Sequence, residues 1–188
     1  MVFFYASIEF FFIFAADFMQ NYLKEGTGSP LFYLKKMISE STIHTLVNEK
    51  IEGTDLFLVD LSVKPGNKIV VLIDAVRGLS IDDCVKISRH IEFSLDRESE
   101  DFDLQVSSPG ADAPFKVRDQ YKKYEGKNVE VITTENKIIN GRIIASDETK
   151  FELEVKIPAK GNKKISTTEI IKFNYNQIKQ TKATISFK

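Results

Sequence analysis

Nucleophilic or metal chemistry in this 188-residue chain would have to come from two histidines, His44 and His90, one cysteine, Cys84, and the serine pair Ser107-Ser108. The histidines fall on different expected helices with no second ligand at metal spacing, so they read as solvated helix residues rather than a zinc or triad site. Cys84 sits in an apolar helical stripe with no histidine or lysine beside it to lower its pKa, where a thiol behaves as a small hydrophobe. Ser107 and Ser108 lack the G-x-S-x-G elbow and any identifiable base, which leaves a hydrolase reading without its machinery. The carboxylates Glu98, Glu100, Asp101 and Asp103 lack the ligand spacing of a calcium loop. No G-x-x-x-x-G-K or G-x-G-x-x-G phosphate cradle occurs. The expectation is a protein with no catalytic residues, no metal and no cofactor.

The elements around these residues are better marked. From Ser39 to Glu52, Ile43, Leu46, Val47 and Ile51 recur at helical spacing and Gly53 supplies a stop. "DLFLVDLSV" alternates, placing Phe57, Val59, Leu61 and Val63 on one face; Pro65-Gly66-Asn67 is turn chemistry, and "KIVVLIDAV" follows with Val70, Leu72 and Asp74 on one face and Ile69, Val71 and Ile73 on the other. Ser80 and Asp83, three apart, start a helix whose Cys84, Ile87, Ile91 and Leu95 face a core, with Lys86, Arg89 and His90 opposite. Phe102, Leu104 and Val106 alternate as a third strand. Helix, strand, strand, helix, strand makes a two-layer α/β domain over residues 37–108.

After Phe115 the pattern changes. Val117, Tyr121 and Tyr124 have helical spacing up to Gly126. Short strand candidates follow at 127–133, 137–146, 150–157, 169–175 and 182–187, which suggests a small barrel over residues 117–188. Between the two lies "SSPGADAP". Pro109 and Pro114 restrain their predecessors, and Gly110 permits a φ that other residues resist, so residues 109–116 form a stiff linker. The linker is also open to direct partner contact, since loops on rigid scaffolds carry binding.

Charge divides along the same line. Met37 to Pro114 holds 7 Lys/Arg against 15 Asp/Glu, a net −8; Phe115 to Lys188 holds 16 against 9, a net +7, while the whole chain is close to neutral. Such halves either meet different partners or attract each other. Lys160, Lys163 and Lys164 cluster on an expected loop, as phosphate binding would want, although a solvated surface tolerates them equally. With one cysteine no internal disulfide forms, and a reducing cytoplasmic setting fits. Residues 1–36 are intensely apolar, but Glu9 and Asp17 interrupt them and no basic residue precedes the apolar run, so neither a membrane span nor a secretory signal is expected. They read as an upstream extension, with Met37 as the native start.

The succession "GLSIDDCVKISRHIEFSLD", "DLQVSSPGADAPF", "YEGKNVEV" and a small β-domain resembles the RimP family of ribosome maturation factors, from Met37 to the C-terminus. The resemblance implies an α+β protein, with the N-terminal α/β domain joined to an SH3-like, Sm-like barrel. It also implies a monomeric, cytoplasmic, non-enzymatic role on the immature small ribosomal subunit, near a decoding-centre ribosomal protein and ribosomal RNA. Where the family usually reads Leu-Asp-Arg-Pro, this chain has Ala111, Asp112, Ala113 and Pro114, and loses any contact that depended on the arginine. Arg89, Ser107, Ser108, Pro109, Gly110, Asp112, Pro114, Lys160, Lys163 and Lys164 are the expected partner contacts. The alternative is a general RNA-binding regulator built on the Sm-like barrel.

Overall fold

Two serines start the two long helices. Ser39 Oγ accepts from the Thr42 N–H at 3.1 Å and opens α1 (Glu40–Ile51), which ends ahead of Gly53 at φ +73°. Ser80 and Asp83 cap each other reciprocally, the Asp83 N–H on Ser80 Oγ and the Ser80 N–H on Asp83 Oδ2, both at 3.2 Å, and open α2 (Ile81–Ser94). Arg77 Nη2 donates to Asp83 at 2.8 Å and its other guanidinium nitrogen pairs with Asp55, which fastens the loop before α2 to the chain entering β1. The computed structural model describes residues 38–97, 100–157 and 167–184. The expected upstream extension therefore lies outside the described residues, as do Lys160, Lys163, Lys164 and Glu98.

β1 (Leu56–Lys64) and β2 (Lys68–Ala75) form the expected hairpin, and β3 (Asp103–Ser107) joins β2 in parallel to give the order β1-β2-β3. The turn needs Gly66 at φ +81° and Asn67 at +52°, a conformation that glycine and asparagine accept. Asn67 is also buried, taking the Ile38 N–H at 3.4 Å and donating to Asp101 O at 3.0 Å, so the turn holds the chain entering both α1 and β3. Ile43 and Val47 of α1, Ile87 and Ile91 of α2 and Ile69, Val71 and Ile73 of β2 are fully buried in one cluster, each contributing about 1.5–3 kcal/mol. Cys84 and Leu95 pack against it, as the stripe required.

One face assignment is corrected. A bulge between Leu58 and Asp60 inserts an extra residue, so Leu56 and Leu58 meet the helical cluster before it and Leu61 and Val63 after it. Phe57 and Val59 are buried apart from that cluster. A single added residue exchanges the faces of everything beyond it.

The second sheet is antiparallel throughout. After α3 (Arg118–Lys123) come β4 (Asn128–Thr133), β5 (Ile138–Ser146), β6 (Lys150–Ile157), β7 (Thr167–Asn174), a 3₁₀ turn (Tyr175–Gln177) and β8 (Ile178–Ala183), in the order β7-β6-β5-β4-β8. Among the described residues the pairing closes no ring. Phe151, Leu153, Val129, Val131 and Ile143 are its fully buried centre. The last described strand begins earlier than the expected 182–187, of which 185–187 lie outside the described residues: Ile178 packs on the cluster and Thr181, 1% exposed, accepts the Tyr121 hydroxyl at 2.9 Å. Gly141 permits the close approach of β5 to β6, since a Cβ there would stand 2.6 Å from Glu154 O and 2.7 Å from Leu153 Cγ. The architecture is mixed α+β. No helix among the described residues is long and apolar enough to cross a membrane.

Candidate partner-binding site at the joint

β3 runs directly into the linker. Ser108 and Gly110 are exposed and Pro109 is half-buried, and the Ala113 N–H donates to Gly110 O at 2.9 Å to close a turn. Gly110 does not use the positive φ that a glycine permits. What it supplies is room, because a Cβ would come within 3.0 Å of Asp112 Oδ1. The linker is then tied down at its far end. The Phe115 N–H donates to Thr181 O at 2.8 Å, and its ring meets Tyr121 edge-on at 5.2 Å and Tyr124 at 4.8 Å. Val117 cannot cap α3 with its side chain; buried Gln120 reaches back instead, its Oε1 accepting from Lys116 N at 2.6 Å and Val117 N at 3.2 Å.

A cleft of about 330 Å³ opens beside this turn, lined by Ser108, Pro109, Gly110, Ala111 and Ala113 on one side and by Asp74, Leu79, Gln120, Lys123 and Tyr124 on the others. In its wall Lys123 Nζ meets Asp74 Oδ1 at 2.5 Å, with the two side chains 16% and 4% exposed. The same oxygen accepts the Ala75 N–H at 2.8 Å. A second, exposed pair joins Lys116 to Asp60 at 2.5 Å. Both pairs join the acidic half to the basic half, so the charge division of the sequence is spent in part on mutual attraction.

The expected site residues are only partly gathered. Ser108, Pro109 and Gly110 line the cleft; Ser107, Asp112 and Pro114 flank it in sequence without lining it, and Arg89 stands exposed on α2 outside it, in no ion pair with a described residue. Neither serine hydroxyl is hydrogen-bonded to a described side chain. Ala111 and Ala113 also line the cleft, across from Asp74. His44 is exposed, its Nδ1 3.0 Å from Asn48 Nδ2. His90 is corrected from a solvated position: it is half-buried, its Nε2 facing Glu49 of α1 at 3.5 Å. Burial and the neighbouring Asp83 carboxylate push the Cys84 thiol up from its usual range. Among the described residues no three potential metal ligands come together. Asp74, Lys123 and Gln120 were not singled out from the sequence; the one available signal was a carboxylate inside the otherwise apolar run "KIVVLIDAV".

Comparison with known proteins places this geometry in context. Residues 46–112 match the family model for the RimP N-terminal domain, a span that runs from α1 to the linker. The ribosome maturation factor RimP of Christiangramia forsetii is 34% identical over 139 residues, covering 72% of this chain and 90% of that protein. The protein of the same name from Porphyromonas gingivalis is 36% identical over 119 residues, 63% of this chain and 78% of that one. The one from Flavobacterium psychrophilum is 43% identical over 82 residues, 44% and 53% respectively.

Proposed function

The chain belongs to the RimP family of ribosome maturation factors, and from that premise we propose that it binds the immature small ribosomal subunit and assists its assembly without catalysis. The observation that carries the reading is the braced joint. A linker with exposed Ser108 and Gly110 is fixed against a buried Asp74–Lys123 pair, so it offers a preformed contact surface at little ordering cost. We read residues 37–108 and 117–188 as two domains joined by 109–116. The second is an SH3-like barrel, a reading supported by the sharp approach of β5 to β6 at Gly141. The acidic domain meets a basic protein of the decoding centre, and the basic domain meets ribosomal RNA or protein, in the cytoplasm and as a monomer. Charge of this kind steers and discriminates more than it adds affinity. Ser108, Pro109, Gly110 and Arg89 are the contacts this reading assigns among the described residues.

Co-sedimentation tests it. The full chain is run with small-subunit particles from cells lacking the protein, with mature small subunits and with intact ribosomes. Preferential migration with immature particles supports the assembly role. Equal binding to all particles, or none together with tight binding to free single-stranded RNA, overturns it, the last outcome in favour of an RNA-binding regulator.

A further inference from the structure

The open side of β3 is unlike the rest of the first sheet. Ile69, Val71 and Ile73 of β2 are fully buried beneath the helices, yet Leu104 and Val106 of β3, on the same face and against the same cluster, remain half-exposed. β3 is the outer strand in the order β1-β2-β3, and no described backbone group pairs with its far edge. Such an edge carries a row of free N–H and C=O groups and is a template for another strand.

α2 contacts both α1 and β3. His90 turns toward α1, meeting Glu49, and α2 packs on β3 from the other side. At about 100° per residue, the α2 positions roughly opposite His90 are Ile81, Val85, Ser88 and Glu92. Ile81 is 83% exposed and Val85 39%, large apolar side chains that the fold leaves uncovered. Edge backbone on one side and a helix offering apolar side chains on the other form the groove in which extended peptides add to sheets. The groove ends in negative charge: Glu100, Asp101 and Asp103 outnumber Lys68, which stands beside Asp103 in the strand register, while Arg97 pairs with Glu92 at 3.9 Å. That balance disfavours a second copy of this acidic half and favours a cationic chain.

We propose that the far edge of β3 takes an extended, lysine- or arginine-rich segment of a partner protein as a fourth strand, with alternate apolar side chains against Val85, Leu104 and Val106. The proposal deepens the reading of the chain as a factor that meets a basic ribosomal protein and rests on it only for the partner's identity.

The probe is a fluorescent ten-residue peptide alternating lysine and valine, titrated against the full chain, with hydrogen exchange read on residues 103–107. Binding is expected to slow exchange there and to weaken steeply with salt. N-methylating alternate backbone nitrogens of the peptide, which removes strand donors without touching the protein, is expected to lower affinity at least tenfold. Val85→Glu is expected to do the same at unchanged thermal midpoint, because the side chain is already partly in water. Equal binding of the N-methylated peptide, or unchanged exchange at saturation, overturns the proposal. A dimer of the free chain that Val85→Glu abolishes overturns it in favour of self-pairing. The peptide assay contains no ribosome, so its failure is distinct from failure of particle co-sedimentation.

Discussion

Replacing Lys123 by methionine tests how the joint is held. The substitution keeps the stem and removes the charge, leaving the Asp74 carboxylate, 4% exposed, with the Ala75 N–H as its remaining partner on the oxygen that had two. An uncompensated buried charge of this kind costs about 3–5 kcal/mol. Asp74→Asn is expected to cost less, about 1–3 kcal/mol, because Lys123 is 16% exposed and its four-carbon stem can carry the ammonium toward water. The double variant removes both charges and is expected to recover to within about 1.5 kcal/mol of the parent. Urea unfolding of the four proteins near neutral pH gives the coupling directly. Repetition in 1 M NaCl separates it from the exposed Lys116–Asp60 pair, which is screened and worth under about 1 kcal/mol. Costs that simply add in the double variant, or a Lys123→Met cost below about 1 kcal/mol, would refute the claim that this pair braces the joint.

Gly141→Ala forces a methyl group to within 2.6 Å of Glu154 O and is expected to destabilise by about 1–3 kcal/mol in the same unfolding assay. Ser80→Ala removes the cap of α2 at about 1 kcal/mol. The hydrogen bonds from Ser80, followed by the Arg77 pair, hold the Asp83 carboxyl below its usual range. Its contribution is therefore present above the ordinary carboxylate value near 3.9 and lost as pH falls through the lower folded value. Thermal midpoints measured on acidification should fall less steeply in Asp83→Asn than in the parent. Burial raises Tyr121, and burial first, then the Tyr121 and Asp147 charges, pushes Tyr175 up to about 12. Stabilisation by Tyr175 is complete below the ordinary value of 10.0 and is lost as pH rises through about 12. In a spectrophotometric titration, Tyr175→Phe is expected to remove a late-ionising tyrosine; loss of an early one contradicts the burial argument.

Local chemistry was legible and distant chemistry was not. The Ser80–Asp83 capping box, the Gly66-Asn67 turn and the stripe Cys84, Ile87, Ile91, Leu95 depend on residues within a few positions of one another, and sequence spacing carries them. The bulge at Leu58–Asp60 has no compositional mark, so a clean alternation pointed Phe57 and Val59 at the wrong neighbours. β8 reads as polar, "IKQTKA", because a strand pairing on one edge needs only Ile178 and Thr181 inside. Asp74 and Lys123 are 49 residues apart, and Asn67 and Glu100 are 33 apart; their types say nothing of each other until the fold brings them together. The linker serines stood out through their prolines, while the acid-base pair that braces them did not.

The two electrostatic features of the acidic half have opposite fates, and that is informative about how the chain works. Asp60 and Asp74 are taken up by Lys116, just ahead of α3, and Lys123, its last residue, which sets one half against the other. The acids around the start of β3 have no such partners in the basic half among the described residues. A chain whose charges served only internal attraction would pair them as well, since the second half carries the larger number of lysines. Asp103 and Ser107 are the two ends of the five-residue β3 on an open edge, and Ser107 leads into the Ser108–Gly110 wall of the cleft. A cationic strand laid along β3 would thus start beside Glu100, Asp101 and Asp103 and end at the braced joint.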